Sequence, residues 1–195
     1  MNAKQLELLV TDDADYQYVL TNWSSDYMDD LVHHANDAEV AKFLANRFPH
    51  PYTSDNAMSF LAYASSTATE RLFAIVRQHK VSGTREAIGG IGMDVKSDVQ
   101  EHSGEVGYWL GKSFWGRGLM THVVATFLDG FVEVYLRTHA PVPLSRLFAV
   151  VYAPNTGSVR VLEKNGFQIE GRLRRYAYKN GEYLDAFLLG RVYEL

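Results

Sequence analysis

The segment with the clearest chemical signature is EVGYWLGKSFWGRGLMT, residues 105–121, where a strand-like run leads through a turn into a helical pattern. The turn contains Gly111, Gly116 and Gly118, and glycine lets a backbone approach a ligand closely. A helix start also offers unpaired N–H donors and the positive end of the helix dipole, and Arg117 adds a cation. These features suit a pyrophosphate. A turn that needs glycine only for its own conformation explains them equally well.

Two familiar nucleotide-binding motifs do not fit this segment. GKS at 111–113 resembles the end of a P-loop, but that motif requires glycine at position 106, where the chain has Val106. The dinucleotide pattern G-x-G-x-x-G fails because Thr121 stands in place of its third glycine. An NTP-binding or NTP-hydrolysing protein is therefore disfavoured.

A second informative segment is LFAVVYAPNTGSVRVLEKNGF, residues 147–167. Asn155 follows a buried-strand pattern and opens a predicted helix, and Ser158 lies in the first turn of that helix. Asparagine is a preferred N-cap residue, so helix capping alone accounts for this segment. Taken without the rest of the chain, it favours a structural role.

The elements that must position these residues follow from hydrophobic periodicity. Predicted strands cover 6–10, 72–78, 87–95, 105–111 and 147–152, and a final hairpin turns at Asn180-Gly181. Predicted helices cover about 24–36, 37–45, 53–65, 117–135 and 155–165. We expect a single α+β domain over residues 1–195, with a mixed, largely antiparallel central sheet flanked by helices.

Composition excludes several other classes of protein. The chain has 195 residues, a net charge of −4 and scattered lysines and arginines, so no nucleic-acid partner is expected. It has no cysteines, which excludes disulfides, thiolate metal sites and a cysteine nucleophile. It shows neither a signal-peptide pattern nor an apolar run of about 20 residues, so we expect no membrane association and a cytoplasmic location.

We also expect no metal site, because the seven histidines lack metal-binding spacing. His33 and His34 are adjacent on a predicted helix and are expected to face different directions.

Together the two segments resemble the GCN5-related N-acetyltransferase (GNAT) superfamily, in particular its RimJ/RimL-type branch of ribosomal-protein N-terminal acetyltransferases. The resemblance rests on GYWL at 107–110, WGRG at 115–118 and N-x-x-S-x-x-V-L-E-K-x-G-F from Asn155 to Phe167. It implies the fold of that family and acetyl-CoA as co-substrate. It also implies a monomer or a homodimer.

The resemblance further implies which residues contact acetyl-CoA. Its pantetheine arm would lie beside the strand at Val106, Tyr108, Trp109 and Leu110. Its pyrophosphate would lie on the backbone of Trp115, Gly116, Arg117, Gly118, Leu119, Met120 and Thr121, and Asn155 would add a contact. Many relatives place a tyrosine acid where this chain has Leu162, so the resemblance passes the role of proton donor to Ser158.

The expected reaction moves an acetyl group to a primary amine, either a protein N-terminal α-amine or a small-molecule amine. Without cysteine, direct transfer in a ternary complex is favoured over an acyl-enzyme. Glu105, at the start of the cofactor-binding strand, is the candidate base acting through water, with Asp94 and Glu101 as competitors. A solvent-facing carboxylate explains Glu105 equally well.

Tyr176 and Tyr178 either line the acceptor site or pack along an edge strand. The alternative function is a non-catalytic acyl-CoA-binding module.

Overall fold

The computed structural model describes residues 6–65, 71–136 and 142–194. The chain divides into two compact units. The first unit comprises Met1–Gly92 and Tyr108–Thr126, and the second comprises Met93–Gly107 and Phe127–Leu195.

The strands of the first unit are mainly antiparallel. They follow the order β1-β2-β3-β4-β5, with antiparallel register from β1 to β4. Gly111 N donates to Ile88 O at 2.8 Å where the end of β5 lies beside β4. The bounds are β1 (Glu7–Asp12), β2 (Tyr16–Asn22), β3 (Leu72–His79), β4 (Arg85–Val95) and β5 (Ser103–Leu110). Both β4 and β5 continue into the second unit.

Four helices of the first unit begin at recognisable signals. A 3-10 turn capped by Ser24 leads into α1 (Met28–Ala35), and Asp37 caps α2 (Ala38–Ala41). Thr53 and Asn56 form a capping box for α3 (Ser54–Ala64). The fourth helix, α4 (Leu119–Thr126), follows the glycine turn. Apolar side chains of α1 and α3 pack against β2, β3 and β4, burying Leu31, Ala57, Leu61, Val76 and Ala87.

The second unit holds the remaining strands in the order β4-β5-β6-β8-β7. β6 (Arg146–Tyr152) is parallel to β5 and antiparallel to β8 (Glu182–Val192). β7 (Gln168–Lys179) pairs antiparallel with β8. Between β6 and β7 lies α5 (Thr156–Lys164). Residues Phe127–Leu136, which follow α4 in sequence, form a π-helix.

The predicted α+β class with a mixed, largely antiparallel sheet is confirmed. The hairpin turn is also confirmed, because Asn180 and Gly181 both have positive φ angles, 53° and 85°. Within the described ranges, no helix combines the length and the apolar character needed to cross a membrane.

Several local predictions are wrong. The sequence prediction missed β2, and β4 begins at Arg85, two residues before the strand predicted over 87–95. The predicted helix 37–45 ends at Ala41. The single α-helix predicted over 117–135 changes to π-helical hydrogen bonding at Phe127. Its apolar positions suit both helix types, because both keep one face buried.

Candidate active site

The glycine turn of the first unit has a defined backbone. A 3-10 turn, Lys112–Phe114, follows β5, and the indole Nε1 of Trp115 donates to the carbonyl oxygen of Leu110 at 2.7 Å. Gly116 and Gly118 have φ angles of 75° and 77°, in the left-handed region. A Cβ at either glycine would meet nothing within 4 Å, so backbone conformation rather than crowding requires glycine here.

The amides of this turn are poised to donate. Trp115 N already donates to Lys112 O at 3.1 Å, and Thr121 N donates to Gly118 O at 3.0 Å. Residues 116–120 lie between these two donors in the chain. Among the described residues, their amides have no backbone acceptor. Residues 116–118 are exposed, and α4 begins at Leu119. Consecutive free amides at a helix start form a binding site for an anion.

A cluster of ionisable side chains packs against Gly111 and Phe114, which lie at the start of the glycine turn. His34 on α1 is 7% exposed, its Nε2 lies 2.7 Å from Glu86 Oε1, and its ring contacts Phe114 edge-on at 5.5 Å. A Cβ added to Gly111 would lie 2.8 Å from His34 Nδ1, so this glycine is required by close packing. The Arg77 guanidinium bonds Glu86 and lies 5.1 Å from the centre of the Phe114 ring.

Glu86 is ionised in this cluster. Burial opposes its charge, but hydrogen bonds from His34 and Arg77 outweigh burial and lower the pKa of Glu86 below its usual value. Sequence reasoning missed this group because its members lie on α1, β3 and β4, far apart in the chain.

At the end of β5, the side chains of Trp109 and Leu110 are engaged in packing. The Trp109 ring packs against Phe48 at 5.5 Å, within the hydrophobic cluster of the first unit. Leu110 is buried, and Arg117 is exposed with its guanidinium 6.0 Å from the Phe114 ring. The cofactor contacts at Trp109 and Leu110 stay predictions, and we expect main-chain groups to make them because the Trp109 ring is packed and Leu110 is buried.

In the second unit, the parallel pairing of β5 with β6 is short. It joins Ser103–Glu105 to Arg146–Phe148 and ends there, although β6 continues to Tyr152. Among the described residues, Ala149–Val151 have register partners on β8 and none on β5. Val106, the next residue of β5, is buried. The ladder between β5 and β6 therefore ends at Glu105.

Glu105 is part of an ion-paired group. Its Oε2 accepts from Lys96 Nζ at 2.7 Å, and the same ammonium donates to Asp94 at 2.8 Å. Burial disfavours the charge of Lys96, but the bonds to both carboxylates prevail and raise its pKa. Of the competitors, Asp94 shares this lysine, and Glu101 is exposed on the loop before β5.

Asn155 and Ser158 lie together at the start of α5. The Asn155 side-chain oxygen accepts from Ser158 N at 3.2 Å, so Asn155 is an N-cap. Its Nδ2 group has no acceptor within the described ranges and can donate to a ligand. Ser158 is half-buried in the first helical turn.

The structure therefore places the predicted residues in two groups. The glycine turn belongs to the first unit, and Val106, Glu105, Asn155 and Ser158 belong to the second. Glu105 pairs with Phe148, which is four residues before the end of β6. Glu105 therefore lies about 13 Å along the strand from the end of β6 that leads into α5.

Two further predictions concern exposed or adjacent rings. Tyr176 and Tyr178 are 50% and 62% exposed on β7. The prediction that His33 and His34 face different directions is confirmed, because His33 is exposed and His34 is buried, although their rings are in edge contact at 4.7 Å. The His34 ring nevertheless turns its Nε2 toward Glu86. Among the described side chains, no cluster of three metal-ligating residues occurs.

Comparison with known proteins places this geometry in a family. The model of the acetyltransferase (GNAT) domain family matches residues 17–168. An uncharacterised N-acetyltransferase, p20 of Bacillus licheniformis, is 28% identical over 162 residues, covering 82% of this chain and 84% of p20.

Solved structures share the fold. RimL, a ribosomal L7/L12 α-N-protein acetyltransferase in complex with coenzyme A, matches with a TM-score of 0.73 and 16% identity over 95% of this chain and 98% of its own. The microcin C7 self-immunity acetyltransferase MccE, in complex with acetyl-CoA and AMP, matches with a TM-score of 0.70 and 18% identity over 94% of each chain. The family match and the relatives together establish that this chain belongs to the GNAT family and is an N-acetyltransferase.

Proposed function

We propose that the chain transfers an acetyl group from acetyl-CoA to a primary amine, acting as a single GNAT domain in the cytoplasm. The observation that carries this proposal is the row of free amides at residues 116–120, ahead of α4. The pyrophosphate of acetyl-CoA needs several donors at one place, and these amides, assisted by Arg117, can supply them. RimL and MccE bind coenzyme A or acetyl-CoA in their solved structures, which supports the assignment.

The part of β6 that follows the β5 pairing suits the pantetheine arm. This arm carries amide groups, and an amide can continue a strand ladder where Ala149–Val151 have no partner on the β5 side among the described residues. Val106 follows the last paired residue of β5, and Asn155, which caps α5 after the end of β6, is our candidate for a further contact to the cofactor. We place the thioester along β6 between Phe148, which pairs with Glu105, and Tyr152, after which the chain leads to Ser158.

The chemistry requires a neutral amine and a leaving thiolate. An α-amine of pKa about 8 is roughly one-tenth neutral at pH 7, so modest assistance from a base suffices. The amine nitrogen forms a bond to the thioester carbonyl carbon, the carbon–sulfur bond breaks, and the sulfur takes the electron pair. We assign the amine proton to Glu105 through water and the proton for the thiolate to the Ser158 hydroxyl.

Glu105 is our candidate base because its carboxylate, whose Oε2 accepts a hydrogen bond from Lys96, has a second oxygen that can accept a proton through water. Backbone amides of β5 around Tyr108–Leu110 are our candidates to stabilise the carbonyl oxygen as it becomes negative. Asn155 fixes Ser158 by capping α5, which explains why the two residues occur three positions apart.

Release of free thiol tests the proposal directly. The chain is mixed with acetyl-CoA and a panel of peptides and small amines, and thiol is measured with a colorimetric reagent while mass spectrometry finds the acetylated product. Amine-dependent thiol release is expected. Binding of coenzyme A without thiol release for any amine would identify a non-catalytic binding module instead.

A further inference from the structure

The last hairpin contains an irregularity that side chains hold in place. Between Leu173 and Ala177, four residue steps of β7 lie opposite only two steps of β8, from Ala186 to Leu184. Residues 174–176 therefore bulge out of the ladder. Arg175 has a φ of 50°, a left-handed conformation that is uncommon for a residue with a side chain.

Asp185 on β8 holds this bulge. Its Oδ1 accepts from Arg175 N at 2.8 Å, and its Oδ2 accepts from Arg172 Nε at 2.9 Å. Two hydrogen bonds lower the pKa of Asp185: the larger effect comes from the Arg175 amide and the smaller from the Arg172 side chain. A non-glycine residue kept in a left-handed conformation by a dedicated carboxylate indicates a selected feature.

The bulge displays two arginine side chains, and Arg174 is near enough to Asp185 for its charge to help lower the pKa of that carboxyl. In the described part of the chain, neither Arg174 nor Arg175 forms an ion pair, and the Arg175 guanidinium lies 5.3 Å from the Tyr183 ring. Tyr183 contacts Tyr178 at 5.0 Å between ring centres. These rings and Tyr176 are 50–64% exposed. We call Arg174, Arg175, Tyr176, Tyr178 and Tyr183 the hairpin patch.

The hairpin patch is joined to the proposed catalytic residues. The backbone oxygen of Asp185 accepts from Ala153 N at 2.8 Å, and Ala153 lies two residues before Asn155. Tyr152, the last residue of β6, is level with Ala186. The residue that holds the bulge therefore also contacts the segment that leads into α5 and Ser158.

We propose that the hairpin patch binds the acceptor and that this acceptor is a peptide with acidic side chains near its free N-terminus. This inference rests on the proposed function and specifies its acceptor. Unpaired guanidinium groups on a chain of net charge −4 select carboxylates. Residues 174–178 lie opposite no more than three steps of β8, from Ala186 to Tyr183, so the patch extends at most about 10 Å along the strand, which is still longer than the backbone of a free amino acid and suits an extended peptide.

The test compares three peptides that differ only at positions three and four, which are Glu, Gln or Lys. Acetylation is measured with the wild-type chain and with Arg174→Gln. We expect the wild type to favour the Glu peptide through a lower KM, and Arg174→Gln to raise that KM about fivefold to tenfold, clearly more than it raises the KM of the Gln peptide. Arg174→Glu should transfer the preference to the Lys peptide.

Lys164→Gln is the matched control, since it removes one exposed positive charge from the last turn of α5 and should leave all three KM values unchanged. Stabilisation of each variant by coenzyme A verifies folding. Equal rates for the three peptides, faster acetylation of free amino acids, or RNA that binds the patch in place of the Glu peptide would overturn the inference. Absence of acetyl transfer to every amine would instead refute the proposed function.

Discussion

Ser158 occupies a position where its backbone and its side chain have separate tasks. The backbone amide completes the Asn155 cap, while the hydroxyl is our proposed proton donor to the leaving thiolate. These tasks can be separated by mutation, because alanine keeps the amide and loses only the hydroxyl. Asn155 offers no such separation, since its oxygen caps α5 and its nitrogen is proposed to contact the cofactor.

We therefore expect Ser158→Ala to lower kcat by about 10²-fold to 10⁴-fold, the usual contribution of a general acid. Affinity for coenzyme A should remain within about twofold, because the capping bond is retained. Steady-state kinetics and calorimetric titration provide the two measurements. Thr156→Ala, which removes an exposed hydroxyl from the same helical turn, is the control and should leave kcat unchanged. Wild-type kcat in Ser158→Ala would exclude the hydroxyl from the mechanism.

Glu86 gives a prediction about pH. Its pKa is lower in the folded chain than the ordinary value of 4.5, so its stabilising effect is complete above that value and decreases as pH falls through the folded pKa. At pH 7, Glu86→Gln should lose about 1–2 kcal/mol of unfolding free energy, since hydrogen bonds to charged groups contribute on this scale.

Urea unfolding of the wild type and Glu86→Gln from pH 7 to pH 3 measures this effect. The difference between the two proteins should be constant down to about pH 5 and should shrink below pH 4.5. A difference that grows on acidification would contradict the ionised state of Glu86.

At the scale of elements, the glycine turn combines a backbone requirement with a binding surface. Gly118 can be compared with Gly83 in the turn between β3 and β4, because both have φ angles above 70° and open space where a Cβ would lie. Gly83 is thus a control with the same conformational demand and no proposed ligand.

Gly118→Ala and Gly83→Ala should each destabilise the chain by about 1 kcal/mol, the lower end of the left-handed penalty. Only Gly118→Ala should also weaken coenzyme A binding, by about tenfold, because the strained turn moves amides 116–120 out of alignment. Thermal unfolding and titration calorimetry measure the two effects. Equal coenzyme A affinity in the two variants would separate the turn from the cofactor.

Local sequence signals predicted the elements that depend on local physics. The α5 cap at Asn155, the helix start at Thr53 and the hairpin at Asn180-Gly181 each depend on a few neighbouring residues and were predictable. β2 was missed because Tyr18–Thr21 are buried consecutively, without the alternation that identifies a strand with one solvent face.

Contacts between distant residues were not predictable. His34 and Glu86 are 52 residues apart, and Arg175 meets Asp185 only because β7 bulges against β8. The early end of the β5–β6 pairing also has no signature in a single sequence. The site motifs could therefore be recognised, whereas the groups that support the turn and shape the hairpin required coordinates.

At the scale of the whole molecule, cofactor binding should appear as stability. The match to the GNAT family spans residues 17–168, so it takes in segments of both units. A ligand that binds only the folded chain stabilises it by mass action, whichever residues it contacts. Whether the chain acts as a monomer or a homodimer stays a prediction from the resemblance.

Coenzyme A at 100 times its dissociation constant should add about 2.7 kcal/mol to the free energy of unfolding. ATP at the same concentration should add much less, because it carries phosphates without a pantetheine arm to lie beside β6. Differential scanning fluorimetry over a ligand series measures both. Equal stabilisation by ATP would favour a general nucleotide site over an acyl-CoA site.

The short β5–β6 pairing has one more consequence. Beyond Phe148, β6 has main-chain groups on its β5 side that lack a strand partner among the described residues, so the sheet contains an edge within its interior. Water must solvate those groups before a ligand arrives, and their amide protons should exchange readily with deuterium. A bound pantetheine arm would hydrogen-bond to these main-chain groups and slow the exchange at Ala149–Val151. The cofactor would then take the place of a neighbouring strand.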